Sequence, residues 1–334
     1  MRIPKSVGWV LGVVVVAALV IAAGIDANRS GSRADAHTKL VIIAPAAAGG
    51  GWDLVGRESE NALRSNKIVL NPQVLNVPGA GGTIGLSQLR RMDGESSTIM
   101  VTGTVMLGGI ALSPSDLDLS EMTPIARLAE DFEVIAVPEH SEFQTLDDLI
   151  AAWEQDPGAM PIGGGSAGGI DHMVAAMLAR EAGIDPAEIE YAAYAGGGDL
   201  TIALLSTASG TPGVGISGFN DFRDLIEDGR LRALAVVAPE RLEGLDVPTM
   251  EEVGYPAVDL VNWRGFVAPA GLSEEEQEVL IDIVTEMVDT PEWQEAVDRN
   301  RWEESFLTGD EFGAFLETEQ ERITEILVDL GLVQ

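Results

Sequence analysis

The chain has no cysteine, three lysines and three histidines among 334 residues. Without cysteine there can be no disulfide, no thiolate metal site and no thiol nucleophile. The lipid-bearing cysteine that anchors many exported bacterial proteins is missing too. The histidines, His37, His140 and His172, are far apart, and there is no H-E-x-x-H or clustered Asp loop, so no pattern for metal ligation. No G-x-x-x-x-G-K-[ST] is present, which excludes a P-loop. Positive charge is scarce as well. Twenty Lys and Arg face 54 Asp and Glu, a formal net charge of −34, with Lys5, Lys39 and Lys67 the only lysines. Such a field repels nucleic acid and anionic lipid. An acid-rich, lysine-poor surface suits solubility in high salt. Any anionic ligand must be held by local donors against that field.

What is present is a folding sequence, 46% hydrophobic and long enough for two lobes with substantial cores. Arg2 and Lys5 precede an uncharged apolar run, SVGWVLGVVVVAALVIAAGI, ending at Asp26. A charged start followed by an apolar stretch predicts export. The run is just long enough to span a bilayer, and Ala34-Asp35-Ala36 offers an A-x-A cleavage site, so cleavage and an uncleaved anchor both stay open. Either way the bulk of the protein is expected outside the cytoplasm. DANRSGSRADAH reads as a linker.

From Lys39 onward, strand, Gly-rich turn and helix alternate. KLVIIAPA and the turn AAGGGWD lead to the helix DLVGRESENALR; PQVLNVPG leads through glycines to TIGLSQLRRM; STIMVTG follows. FEVIAVP precedes a helix whose start is marked by Thr145 and Asp148 and whose end is marked by Pro157-Gly158. MPIGGGSAGG opens the helix IDHMVAAMLAREAG, and EIEYAAY opens LTIALLSTA through AGGGD. GVGISG, RALAVVAP and GFVAPAG read as further strands. Ser273 and Glu276 form a capping box before a long helix, and an amphipathic acidic helix closes the chain. The pattern predicts an α/β fold with a largely parallel sheet, and no repeat of fixed period. In such sheets ligands sit off the carboxyl ends of strands, where these turns lie.

GGGSAGGIDH, residues 163 to 172, admits three readings. As a G-x-S-x-G elbow it makes Ser166 a nucleophile, but only His172 follows, too close in sequence to return from a separate loop. As a G-x-G-x-x-G fingerprint it lacks the strong preceding strand, and Glu188 and Glu190 mean little in so acidic a chain. The third reading is a bare loop whose N–H groups hold an anion. The turn PAAAGGGWD has the same design: no side chains to obstruct a carboxylate, and a helix N-terminus behind it. Tight turns alone would explain one such loop; two in a chain without a catalytic constellation favour anion binding. Asp53 and Ser166 are expected as helix caps or as hydrogen-bonding groups beside the ligand.

VIIAPAAAGGGWDLVGRESENAL, NVPGAGGTIG, PIGGGSAGGIDHM, YAAYAGGGDLTIALL, GRLRALAVVAPERL, VPTMEEVGY and WRGFVAPAGLSEEE occur in the order found in substrate-binding proteins of tripartite tricarboxylate transporters. The resemblance covers nearly everything after Lys39. It implies an α/β, two-lobed periplasmic-binding-protein fold (Venus flytrap, type II-like) with the ligand between the lobes. Residues 1–36 would be signal or anchor plus linker, 38–133 with 261–334 lobe 1, and 134–260 lobe 2. It implies no enzyme, cofactor or metal, and a monomer that hands a small di- or tricarboxylate, citrate-like first, to integral-membrane transporter subunits. The rival readings are an exported serine hydrolase using Ser166 and a receptor that presents its ligand to a sensor. The implied binding positions in the first loop are Ala47, Ala48, Gly49, Gly50, Gly51, Trp52 and Asp53. Those in the second are Gly164, Gly165, Ser166, Ala167 and Gly168, with Thr104, Gly197 and Ser217 at other turns. His172 either orients the second loop or contacts the ligand. Many relatives carry an aromatic where this chain has Ala46-Ala47-Ala48, while Trp52 and Arg264 resemble a tricarboxylate-binding branch. Arg264 is either a cationic partner for a polyanion or a surface ion pair.

Overall fold

Leu40–Ala44 (β1) is almost wholly buried, as a strand covered on both faces must be. The computed structural model to which it belongs describes residues 35–333, apart from 114, 115, 207, 209 and 243. The apolar N-terminal run lies outside the described residues. Among those described, no helix is long and apolar enough to cross a membrane. Ala36 is already packed in the core, and His37 Nδ1 bonds the Ile68 carbonyl at 3.0 Å.

β1 leads into α1 (Gly51–Ser65), then β2 (Pro72–Asn76), α2 (Thr83–Leu89), β3 (Thr98–Gly103), α3 (Thr104–Leu112) and β4 (Thr123–Asp131). A single residue, Phe132, separates β4 from β5 (Glu133–Pro138). There follow α4 (Leu146–Trp153), β6 (Ile162–Gly164), α5 (Ile170–Glu181), β7 (Tyr191–Ala193), α6 (Gly197–Leu204), β8 (Val214–Gly218), α7 (Phe219–Glu227) and β9 (Leu231–Val237). The last part is β10 (Asn262–Ala268), α8 (Glu274–Val288), α9 (Pro291–Asn300), β11 (Glu303–Thr308) and α10 (Gly309–Asp329).

The strands form two sheets, ordered β11-β4-β10-β3-β1-β2 and β7-β6-β8-β5-β9. In each, three strands are parallel, the middle one leading in sequence: β2-β1-β3 and β7-β6-β8. Beside each triplet lies an antiparallel strand that has just arrived from the other sheet, β10 in the first and β5 in the second. The two halves thus share one plan without a repeat in sequence. The expectation of largely parallel sheet is corrected here: β5, β10 and β11 make antiparallel pairings, and these outnumber the parallel ones. The reason is topological. A chain that crosses between sheets and back inserts its entering strand against the direction of the resident ones.

The crossings lie side by side, because Asn262 pairs with Asp131 in register and Asn262 Nδ2 donates to Glu133 Oε1 at 2.9 Å. Thr104 Oγ1 donates to the Val261 carbonyl at 2.8 Å and ties α3 to the returning strand. Trp263, fully buried on β10, meets Phe312 and Phe315 of α10 edge-on at 5.9 and 5.2 Å. Away from the sheet crossings the helices are capped as the sequence predicts: Thr145 with Asp148 and Ser273 with Glu276 form complete capping boxes.

Gly103 shows how tightly the crossing is packed. A Cβ placed there meets the Trp263 carbonyl oxygen at 2.4 Å, and backbone cannot swing aside. Gly103→Ala is expected to lower stability by about 1–3 kcal/mol, as overpacking does. Thermal denaturation checks it, and an unchanged melting temperature would show that β3 and β10 can separate freely.

Candidate functional site

A cavity of about 570 Å³ opens between the carboxyl ends of the two parallel triplets. Five helices begin on it, and each has glycine as N-cap: Gly50 before α1, Gly82 before α2, Gly169 before α5, Gly196 before α6 and Gly218 before α7. None of these ends has a side-chain cap, in contrast to α4, α8 and α9, which are closed by Thr145, Ser273 and Thr290. First-turn N–H groups without a side-chain cap carry the positive end of the helix dipole and favour an anion, although Thr83 N–H already donates to the Ala80 carbonyl and Phe219 N–H to the Phe132 carbonyl at 2.9 Å.

The expected site residues divide. Ala47, Gly50, Gly51, Trp52, Gly165, Ser166, Gly197, Ser217 and Arg264 line the cavity. Ala48, Gly49, Asp53, Thr104, Gly164, Ala167, Gly168 and His172 are not among its lining residues. Several of these shape the loops instead. Asp53 and Ser166 are not helix caps, since glycine occupies both N-cap positions. Asp53 accepts from Gly49 N–H at 2.8 Å, from Asn76 Nδ2 at 2.8 Å and from Arg57 Nε at 2.9 Å. Burial opposes its charge, but those hydrogen bonds outweigh it and hold the carboxyl below its ordinary range. His172 accepts the Gly168 N–H on Nδ1 at 3.0 Å and stacks on Tyr191 at 4.2 Å, contacts that join it to the second loop. Burial lowers its basicity.

Arg264 is neither free nor on the surface. It is 6% exposed; one terminal nitrogen bonds Asp131 and Nη1 donates to the Gly51 carbonyl at 3.1 Å. A Cβ at Gly51 would approach both terminal nitrogens to 2.8 Å, so glycine there makes room for the guanidinium. The expected surface ion pair is thus a buried one, linking the first loop to β4 and β10.

Sequence reasoning missed part of the lining: Pro45, the turn 78–82, Val105, Glu133, Asp171, Asp221 and Asn262. NVPGAGG was visible as a glycine turn, whereas an acid in a chain with 54 of them carries no signal. Asp131, Glu133 and Asp171 are buried, and Asp221 stands partly covered beside them. Asp171 accepts Gly165 N–H, and Ser217 Oγ donates to Asp221 at 2.6 Å. Burial pushes Glu133 well above the carboxylate range, the charges of Asp171 and Asp131 add to it, and Asn262 opposes. Burial likewise pushes Asp171 up to about 6 against the pull of Gly165 N–H. Asp131 is raised by burial despite Arg264, and Asp221 by burial despite Ser217.

The model of the tripartite tricarboxylate transporter family receptor matches residues 60–332. Protein BugT of Bordetella pertussis is 27% identical over 263 residues, covering 77% of this chain and 78% of its own. The solved periplasmic binding protein BugD superposes with a TM-score of 0.79 at 21% identity, over 88% of this chain and 98% of its own. The R. palustris protein Rpa4515, solved with adipate, gives 0.78 at 21% identity, over 88% and 97%. The likeness shows a two-lobed periplasmic-binding-protein fold.

The raised Asp171 has a sign that can be tested. A carboxyl with a higher pKa in the folded state binds its proton more tightly there. Its contribution to stability is full below the ordinary carboxylate range and is lost as pH rises through about 6. The stability of the native chain relative to Asp171→Asn is therefore expected to rise as pH falls from about 7 to about 4. Melting temperatures of the two proteins across that range check it; a relative fall would mean that the carboxylate form is the one the fold prefers.

Proposed function

The chain belongs to the tripartite tricarboxylate transporter receptor family, and from that premise we propose that it is an extracytoplasmic receptor for a small carboxylate. The observation that carries this is the convergence of five glycine-opened helix ends on one cavity of ligand size. Residues 38–133 with 261–334 would form one lobe and 134–260 the other, with loop N–H groups from both facing the ligand. A solved protein of the same fold carries adipate, and this supports a di- or tricarboxylate, with citrate-like acids to be tested first. The bound receptor would then pass its ligand to membrane subunits of the transporter. The proposal is of a binder without turnover: His172 gives Nδ1 to a backbone N–H, and the solved relatives described above include a binding protein.

A thermal-shift screen over di- and tricarboxylates, aromatic acids, amino acids and sugars tests the class. A ligand that binds only the folded state raises the melting temperature by mass action, about 2.7 kcal/mol at a hundred times its Kd. Stabilisation by sugars or simple amines alone, or ester or amide turnover lost on Ser166→Ala, would overturn it.

Closure has its own test. Gly108 on α3 faces Gly168 of the second loop so closely that a Cβ would lie 2.0 Å from the Gly168 carbonyl oxygen. Both contacts are backbone, so a side chain at 108 must hold the two sides apart. Gly108→Ala is expected to weaken ligand binding about tenfold or more while leaving secondary structure intact. Calorimetry and circular dichroism together check this; undiminished affinity would mean that the cleft does not close on this contact.

A further inference from the structure

α9 is fixed at both ends to α1, which packs on the first sheet: Asn66 Nδ2 donates to Glu292 at 2.7 Å, and Arg299 pairs with Glu58 at 2.6 Å. Its last carbonyls meet two kinds of donor. Val297 and Asp298 accept from the following turn, through Trp302 N–H at 3.0 Å and Arg301 N–H at 3.2 Å. Arg299 and Asn300 accept from α7, which packs on the second sheet. Arg223 Nη1 donates to the Arg299 carbonyl at 2.8 Å, and Asn220 Nδ2 donates to the Asn300 carbonyl at 2.7 Å. α9 therefore ends on donors from another part of the fold, and one of them is a cation at the negative end of its dipole.

Arg301 points the same way. Its φ is +50°, in the left-handed region where glycine is usual after a helix. Glycine meets that backbone without strain, so what the arginine adds is its side chain. The guanidinium lies 5.7 Å from the ring centre of Phe219, the first residue of α7, and a Cβ at Gly244 beyond β9 would stand 3.4 Å from Nη2. α7 in turn borders the cavity. Ser217, Gly218 and Asp221 line it, while Phe219 N–H donates to the carbonyl of Phe132, the crossing residue. Asn220 and Arg223, three residues apart, share the face that α9 meets.

We propose that Asn220, Arg223 and Arg301 form a latch between the two sheets, and that the latch holds α7, with the cavity wall it carries, in the position that captures ligand. This rests on the receptor reading and adds positioning residues to it, since none of the three lines the cavity. The latch is made in a structure whose two sides also meet at Gly108 and Gly168, so it favours the arrangement in which they touch. Opening about the crossing draws α7 from α9, and the two carbonyls exchange their protein donors for water. Loss of the latch then moves the equilibrium toward separated sides and weakens any ligand held between them, whatever its chemistry.

The test needs no ligand. The chain has no cysteine, so Ile84→Cys with Ile202→Cys places one pair of spin labels on exposed positions of α2 and α6, which pack on the first and second sheets. Double electron–electron resonance on this protein is expected to show the longer separation populated about fivefold more when Arg223→Ala or Asn220→Ala is added. Arg223→Lys, which keeps the charge, should restore part of the shorter separation. Arg301→Gly suits the left-handed backbone and gives a second reading should the other variants fold poorly: the separation should lengthen without a fall in melting temperature. Distances unchanged in all the variants, or a lowered melting temperature with distances unchanged, would overturn the latch and leave contacts that serve stability alone. A shift toward the shorter separation would also overturn it, by showing that these contacts hold the sides apart. None of these outcomes touches the carboxylate screen, so the receptor reading stands or falls separately.

Discussion

A helix that opens on glycine has no N-cap side chain to cover its first-turn N–H groups, and five helices here open in that way on one space. Elsewhere the same chain closes helix ends with Thr145, Ser273 and Thr290, so the open ends are not for want of capping residues. The rest of the architecture follows from bringing those ends together. Parallel triplets place their carboxyl edges toward the cavity, and the paired crossing strands hold the two edges opposite each other. Glycine also permits the closest backbone approaches, Gly108 to Gly168 and Gly103 to Trp263.

Buried charge is the second requirement. Asp131 pairs with Arg264 and the guanidinium reaches on to the Gly51 carbonyl, tying the first loop to β4, while Arg264 Nε has no partner among the described residues. Such a pair is weak evidence for stability, but removing one partner would strand the other, at a cost of roughly 3–5 kcal/mol. Glu133 and Asp171 lack such a partner, and burial raises their affinity for protons. The cavity is therefore two-sided, with donors along the helix ends and acceptors where the chain crosses.

Much of this was legible because glycine runs and apolar strands are local signals. The two capping boxes, the first and second loops and most strands could be read directly from residue order. Other parts could not. α3, TVMLGGIAL, is apolar all round and holds two glycines, so it shows no stripe at helical spacing. β4, TPIARLAED, and β11, EESFLT, lack clean alternation because they take their place from neighbours at one side of the sheet. The direction of β5 and β10 depends on where the chain crosses, a property of topology and not of a window of residues. Glu133 and Asp171 were hidden by abundance, since only burial separates them from the solvated acids. The crossing, once seen, explains both: it turns the strands antiparallel and draws Glu133 and Asn262 together.

The acid surface bears on binding as well. A net charge of −34 repels an approaching anion, so the overall field cannot steer the ligand in. In concentrated salt that repulsion fades, the Debye length being about 3 Å at 1 M. Contacts inside the cavity survive, because buried groups are screened far less than exposed ones. Recognition in the proposed receptor is thus left to short-range geometry inside the cavity, where the glycine-opened helix ends would meet a carboxylate.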